Sequence, residues 1–150
     1  THNRDTSVII NRAPADVFDA IADITHMAEW SPENTAGRWI GGAVGPAMGT
    51  CFEGDNEVKA GSIVLKRWTT VSEVSEFTPP EIFAFVTENH TTWRFELIAE
   101  GDATRVTQTC SYPSYVGFQK FLYETIGNRS TAIPRGMQET LDRIKEALEA

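Results

Sequence analysis

The chain has 150 residues, of which 41% are hydrophobic and 23% charged, and its formal net charge at pH 7 is −8. This size and balance predict one globular domain, residues 1–150, with a hydrophobic core. The negative charge argues against a nucleic acid or an anionic membrane surface as partner. No run of about 18 apolar residues occurs, so we expect no integral membrane association.

The two cysteines, Cys51 and Cys110, are too few for the disulfide framework of a small secreted protein. We therefore expect reduced thiols in a cytoplasmic protein. The three histidines, His2, His26 and His90, are scattered and lack the spacing of a metal site. The sequence predicts neither a metal ion nor another cofactor, and it does not indicate the oligomeric state.

The first part of the chain reads as a strand followed by short helices. Ser7 to Ile10 is β-branched and predicts a strand. Ala13-Pro14-Ala15-Asp16 predicts a helix start, because proline suits the first helical position and a carboxylate suits the positive end. This helix is expected to end near Asp23 to Thr25. A further turn or two is expected through His26 to Glu29, before Trp30-Ser31-Pro32.

A sheet is predicted for the middle of the chain. The glycine-rich stretch after Trp39 lacks the Gly-Lys-Ser/Thr of a phosphate loop, so we interpret it as a hairpin connection. The short connections that follow predict an antiparallel meander. Its five predicted strands are Cys51 to Val58, Ser62 to Phe77, Ile82 to Glu88, Thr92 to Ala99 and Thr104 to Tyr112.

Alternation along these strands separates an apolar face from a solvated one. Trp93 and Phe95 are expected to face inward, on the side opposite to Arg94. Glu53, Asp55 and Glu57 alternate in the same way along their strand and lie opposite Phe52. They resemble a carboxylate cluster, but a solvated outer face is the favoured interpretation.

Apolar residues recur at helical spacing between Tyr115 and Ala150 and predict a long amphipathic helix against the sheet. Gly127-Asn128 and Pro134 interrupt this pattern. We expect a short segment near Val116 to Ile126, a break, and the main helix from about Thr131 or Ala132. The stripe that should be buried against the sheet consists of Met137, Leu141, Ile144 and Leu148.

Several strings together resemble the actinobacterial branch of the START-like polyketide cyclase/dehydrase superfamily, also called SRPBCC, from about Val8 to Ala147. These strings are Trp30-Ser31-Pro32-Glu33, Trp39-Ile40-Gly41-Gly42, Arg67-Trp68-Thr69-Thr70, Pro79-Pro80-Glu81-Ile82-Phe83-Ala84-Phe85, Trp93-Arg94-Phe95, Thr104-Arg105-Val106-Thr107 and the helical stretch Gly136 to Lys145. The resemblance implies the α+β helix-grip fold, in which a seven-stranded antiparallel sheet curls around a long C-terminal helix. Two short helices follow its first strand.

The resemblance also implies an apolar cavity between sheet and helix. Members of the superfamily carry lipids, hormones or polyketides, and a minority catalyse cyclisation or dehydration. No family active site transfers to this chain, so no catalytic residue is predicted.

A small-molecule site of this kind combines apolar walls with a few polar groups. Each aromatic residue also fits a plain core, and a buried amide such as Gln108 also fits a hydrogen bond to a neighbour. Glu33 also fits a turn-capping carboxylate. The predicted ligand-binding residues are Trp30, Glu33, Phe52, Asn56, Trp68, Phe83, Phe85, Trp93, Phe95, Gln108, Tyr112, Phe118, Phe121, Leu122 and Ile126.

Three functions stay open at this point. The favoured one is binding of a small hydrophobic molecule, because no triad, metal centre or acid/base pair is evident. The second is a cyclase/dehydrase enzyme in which Glu33, Gln108 or Tyr112 orients a substrate and moves a proton. The third is a regulatory module that acts through a protein partner. The break near Gly127-Asn128 and Pro134 also predicts a gate over the cavity.

Overall fold

The computed structural model describes residues 2–113 and 129–150. The strands are β1 (His2–Ile10), β2 (Asn34–Ile40), β3 (Cys51–Ala60), β4 (Ile63–Thr78), β5 (Ile82–Thr87), β6 (Thr91–Glu100) and β7 (Ala103–Tyr112), and the helices are α1 (Pro14–Ala22), a 3₁₀ helix (Ile24–Glu29) and α2 (Arg129–Glu149). All seven strands form one antiparallel sheet in the order β1-β7-β6-β5-β4-β3-β2. The predicted helix-grip fold is confirmed.

The two edge strands differ from the sequence-based expectation. β1 begins at His2 and not at Ser7, because it pairs with β7 along its whole length. The residues of β1 before Ser7 are polar, so no hydrophobic pattern indicated that the strand begins at His2. β2 received no boundaries from the residue pattern, although the resemblance implied seven strands. It pairs antiparallel with β3, with Trp39 opposite Phe52.

The C-terminal helix α2 begins at Arg129, two or three residues before the expected start at Thr131 or Ala132, and it includes Pro134. Pro134 removes one backbone donor from the helix, and the helix continues after it to Glu149. The expected break at Gly127-Asn128 and the expected segment Val116 to Ile126 lie outside the described residues.

The apolar stripe of α2 is buried, as predicted. Met137, Leu141 and Ile144 are at most 2% exposed, and Leu148 is half-buried. Polar contacts fix the helix over β1: Lys145 Nζ donates to the Ile9 carbonyl at 2.7 Å. The helix therefore covers one side of the sheet face that also receives α1, which we call the inner face.

The core on this inner face divides into a large and a small cluster. The large cluster includes Phe18 of α1, whose ring centroid lies 5.7 Å from that of Phe77 and 6.3 Å from that of Phe83. The small cluster consists of Cys110, Tyr112 and Met137, and the half-buried Trp93 packs against both clusters. The candidate ligand-binding site lies along the boundary between these two clusters.

Candidate ligand-binding site

Strand pairing aligns the inward-facing side chains in rows across β5, β6 and β7. Residues directly opposite each other in antiparallel strands share a face, so each row is a continuous wall. The two central rows are Phe85, Trp93, Cys110 and Phe83, Phe95, Gln108. The wall is thus largely aromatic and ends on β7 in a thiol and an amide.

Gln108 is the polar group of this wall. Its side chain is 5% exposed, and no group among the described residues donates a hydrogen bond to its Oε1. Thr6, opposite Gln108 on β1, bonds instead through its hydroxyl to the Gln138 side chain of α2. A buried amide oxygen without a donor is unfavourable, so Gln108 presents an acceptor that a bound molecule can satisfy.

A second polar region lies on the inner face at the other side of the sheet, on β2 to β5. Asn56 Nδ2 donates to the Gly54 carbonyl at 3.1 Å and to Thr70 Oγ1 at 3.2 Å. Ser72 Oγ and Thr87 Oγ1 are hydrogen-bonded at 2.8 Å. We call this region the amide–hydroxyl patch; it consists of Asn34, Asn56, Thr70, Ser72 and Thr87.

Sequence reasoning found part of this site. It placed Asn56 and Gln108 on the inner face but did not name Asn34, Ser72 or Thr87. Ser72 is four residues after Trp68, a predicted ligand-binding residue on the same strand, so alternation along β4 was a sufficient signal for it. Asn34 had no such signal, because β2 was not delimited.

The predicted aromatic residues occupy different depths. Phe52, Phe83, Phe85 and Phe95 are at most 6% exposed and belong to the large cluster. Tyr112 is 5% exposed in the small cluster. The wall residue that is only half-buried is Trp93, so it is the aromatic side chain best placed to contact a ligand.

Other predicted residues lie outside the rows of this wall. Trp68 is half-buried on β4, and the Lys66 ammonium lies 5.2 Å from the centroid of its ring. Trp30 follows the 3₁₀ helix and packs against the large cluster. The predicted residues Phe118, Phe121, Leu122 and Ile126 lie outside the described residues.

Glu33 lines a groove of about 340 Å³ whose other walls include Pro32, Glu57 and Lys59. It directly precedes β2, whereas Gln108 lies on β7, and four strands separate β2 from β7 in the sheet. Glu33 and Gln108 therefore do not lie next to each other on the inner face, as a catalytic acid and an amide that orients the same substrate would.

The carboxylates of β3 lie on the outer face, as predicted. Arg38 Nη1 is 3.0 Å from Asp55 Oδ2, and this hydrogen bond, with a second from Thr69, lowers the pKa of Asp55. Hydrogen bonds from Arg67 and Lys59 lower the pKa of Glu57. These ion pairs keep the outer-face carboxylates ionised and do not form a proton-transfer site.

The inner face has a different chemistry. Its buried polar side chains are amides and hydroxyls, and within 3–113 and 135–150 no carboxylate or imidazole is buried. The described residues contain no group of three or more His, Cys, Asp or Glu arranged to hold a metal ion.

No helix of the described residues is long and apolar enough to cross a membrane. Cys51 and Cys110 form no disulfide, as predicted.

The family of the chain follows from a match over almost its whole length. The model of the family described as polyketide cyclase/dehydrase and lipid transport matches residues 1–149. The chain belongs to this family. No protein of curated function gives a significant match.

Solved structures have the same fold as this member of the polyketide cyclase/dehydrase and lipid transport family. The KanY protein (ms6282) aligns with a TM-score of 0.74 at 18% identity, covering 99% of this chain and 98% of that one. The Polyketide_cyc-like protein Cgl2372 from Corynebacterium glutamicum aligns with a TM-score of 0.61 at 25% identity, covering 98% and 91%. The di-domain ARO/CYC protein BexL of the BE-7585A biosynthetic pathway aligns with a TM-score of 0.71 at 17% identity, covering 99% of this chain and 50% of BexL. Family and fold together support a ligand-binding or cyclase-type role.

Proposed function

We propose that the protein binds a small hydrophobic molecule, such as a lipid or a polyketide, against the inner face of the sheet beside α2. One observation carries the proposal: the buried Gln108 oxygen has no donor among the described residues, and it lies in a largely aromatic wall. Small-molecule sites are apolar surfaces with a few placed polar groups, and this wall has that composition.

The energetics support an apolar ligand with at least one polar group. Removing apolar surface from water contributes about 25 cal/mol per Å². A buried acceptor without a donor costs about 1–3 kcal/mol, and a bound donor recovers part of that cost. Trp93 adds a flat, half-buried surface next to the acceptor, because it lies opposite Cys110 and diagonally from Gln108.

A cyclase-type reaction in the same place is the second candidate. The fold likeness to BexL, an ARO/CYC protein, and the buried phenol of Tyr112 support it. General acid–base catalysis works best with a group whose pKa lies near the working pH, and amides and hydroxyls do not meet that condition. The composition of the inner face therefore favours binding without a chemical reaction.

Because Cys51 and Cys110 form no disulfide, we propose the reducing cytoplasm as the site of action of the protein.

Two measurements test the binding proposal. Native mass spectrometry of the purified protein should show a bound apolar molecule. A thermal-shift screen of fatty acids, sterols and aromatic polyketides should yield at least one hit, since a ligand at one hundred times its dissociation constant stabilises a protein by about 2.7 kcal/mol. If no compound raises the melting temperature and none co-purifies, the binding proposal is wrong.

Variants locate the site of any hit. Trp93→Ala should abolish the shift, because it removes the half-buried wall surface. Phe77→Ala is the matched control: it deletes an aromatic ring that packs against Phe18 and Phe83 in the large cluster. The control should lower the melting temperature of the free protein yet keep the ligand-induced shift. A shift retained in Trp93→Ala and lost in Phe77→Ala would place the ligand elsewhere.

A further inference from the structure

The hairpin of β3 and β4 extends beyond the strands on either side of it. Among the described residues, the last backbone hydrogen bond on the β2 side runs from Glu57 N to the Glu33 carbonyl at 2.9 Å. On the β5 side the last one runs from Glu88 N to the Val71 carbonyl at 2.9 Å. Beyond these two bonds β3 and β4 pair only with each other. We call residues 58–70 of this hairpin the arm.

The arm exposes two large aliphatic side chains. Ile63 is 67% exposed and Leu65 is 64% exposed. An exposed strand edge ordinarily carries charged side chains, because they prevent association with other strands. Exposed aliphatic side chains have the opposite effect, so protection of the edges does not account for Ile63 and Leu65. Apolar groups exposed together mark a surface that contacts a membrane or another protein.

The charge of the arm is opposite to that of the whole chain. The arm contains three cations, Lys59, Lys66 and Arg67, and no carboxylate, although the chain has a formal net charge of −8. All three cations are exposed. Lys59 and Arg67 both contact the same carboxylate, that of Glu57 at the base of the arm. One carboxylate does not neutralise three cations, so this end of the hairpin keeps a positive charge.

We propose that the arm docks the protein on an anionic lipid surface, where Ile63 and Leu65 enter the interface and the cations contact the lipid head groups. Peripheral binding of this kind combines burial of apolar area with attraction to anionic lipids. Each Lys or Arg at such a surface strengthens binding about fivefold. Open strand edges do not enter the hydrocarbon region, so only the side chains at the end of the arm are inserted.

The local charge of the arm decides this interaction, and not the net charge of the chain. Attraction between exposed charges is largely screened beyond about 10 Å at ordinary salt concentration, so carboxylates elsewhere on the protein oppose docking only weakly. Nucleic acid also attracts cations, but proteins that bind single strands stack aromatic side chains on the bases. The most exposed hydrophobic residues of the arm, Ile63 and Leu65, are aliphatic, and this favours lipid.

Vesicle flotation with the purified protein tests the docking. One set of vesicles contains phosphatidylcholine alone, and the other contains equal parts of phosphatidylcholine and phosphatidylglycerol. The protein should float with the mixed vesicles and bind them about tenfold tighter, or more, than the neutral ones. Added salt should remove most of this difference, because it screens the attraction between the cations and the head groups.

Variants assign the binding to the arm. Ile63→Ser/Leu65→Ser should weaken binding to the mixed vesicles about tenfold or more, and Lys66→Gln should weaken it about fivefold. Val44→Ser/Met48→Ser is the matched control, because these two residues are 99% and 63% exposed in the uncharged connection between β2 and β3. The control should bind the mixed vesicles as the unmodified protein does.

Three results would overturn the proposal. The first is the absence of flotation with the mixed vesicles. The second is flotation that Ile63→Ser/Leu65→Ser and Lys66→Gln both leave unchanged. The third is a dimer in solution that Ile63→Ser/Leu65→Ser dissociates, without vesicle binding, which would assign the arm to a second copy of the chain. Flotation measures attachment to the vesicle surface, so it decides the docking independently of ligand binding on the inner face.

Discussion

Phe52 of β3 and Phe85 of β5 pack edge to face, with ring centroids 5.0 Å apart and an interplanar angle of 74°. β4 lies between their strands, and the β4 residues paired with them are the smaller Ser72 and Val74. The two rings therefore meet above β4 and close the large apolar cluster on this side. The amide–hydroxyl patch begins at Ser72, directly next to this contact.

Burial of the α2 stripe predicts a large effect for Leu141→Ala. Leu141 is fully buried, and truncation of a buried leucine to alanine typically costs about 2–5 kcal/mol. Urea unfolding of both proteins measures the change in free energy. Leu65→Ala is the control, because Leu65 is 64% exposed and should change stability by less than about 0.5 kcal/mol. Similar effects for the two substitutions would contradict the packing of α2 on the inner face.

The fold was predictable from the sequence where a repeating pattern carries it. Met137, Leu141 and Ile144 recur at helical spacing, and Trp93 and Phe95 alternate along β6, so burial followed from periodicity. The start of β1 was not predictable from periodicity, because an exposed edge strand needs no apolar side chains to pair with β7.

A close backbone approach makes Gly37 sensitive to substitution. A Cβ at Gly37 would lie 2.4 Å from the Ile24 carbonyl oxygen, a backbone atom that cannot move without displacing the 3₁₀ helix. Gly37→Ala should therefore destabilise the protein by about 1–3 kcal/mol, the usual range for overpacking. The matched control is Gly45→Ala, where a Cβ meets no atom within 4 Å. Thermal unfolding of the two variants should separate them clearly; equal melting temperatures would disprove the contact.

The outer-face ion pairs predict a stability loss in acid. The pKa values of Asp55 and Glu57 are lowered in the folded protein by hydrogen bonds from Arg38 and from Arg67, respectively. A lowered folded pKa favours folding above the unfolded value, ordinarily 4.5 for Glu57, and that contribution disappears as the pH falls through the folded value.

Stability measured between pH 6 and pH 3 tests this relation. The free energy of unfolding should fall less steeply with decreasing pH in Glu57→Gln than in the unmodified protein. Glu146→Gln is a suitable control, because Glu146 is an exposed residue of α2. An unchanged slope in Glu57→Gln would show that these ion pairs do not couple folding to protonation.

The thiols should react at different rates. Cys110 is fully buried, whereas Cys51 is half-buried, and the two form no disulfide. A thiol-specific reagent should label Cys51 first in the native protein, and Cys51→Ser should leave only slow labelling that speeds up on unfolding. Fast labelling of Cys51→Ser without denaturant would show that the small cluster is open to solvent.

The binding site was predictable only in part. Gln108 was found because it lies on the same face of a well-defined strand as Val106 and Cys110. Its lack of a donor depends on what surrounds it in three dimensions, which periodicity does not report. Asn34 was missed because β2 was not delimited, and the orientation of its amide depends on two backbone carbonyls, one of them on the neighbouring strand β3. Glu33 was predicted as a ligand-binding residue because it follows Trp30-Ser31-Pro32. Its closeness to an aromatic residue in sequence did not mean that it belongs to the wall.

The most direct test of hydrophobic binding on the inner face is an NMR titration with 2-naphthol and with 1-dodecanol. The resonances to follow are the indole N–H of Trp93 and the side-chain amide of Gln108, two neighbours on the wall. At least one probe should shift both resonances saturably, with the same dissociation constant, and Trp93→Ala should abolish the shift of Gln108. Saturable binding that leaves both resonances unchanged, or no binding of either probe, would contradict a ligand site on this face.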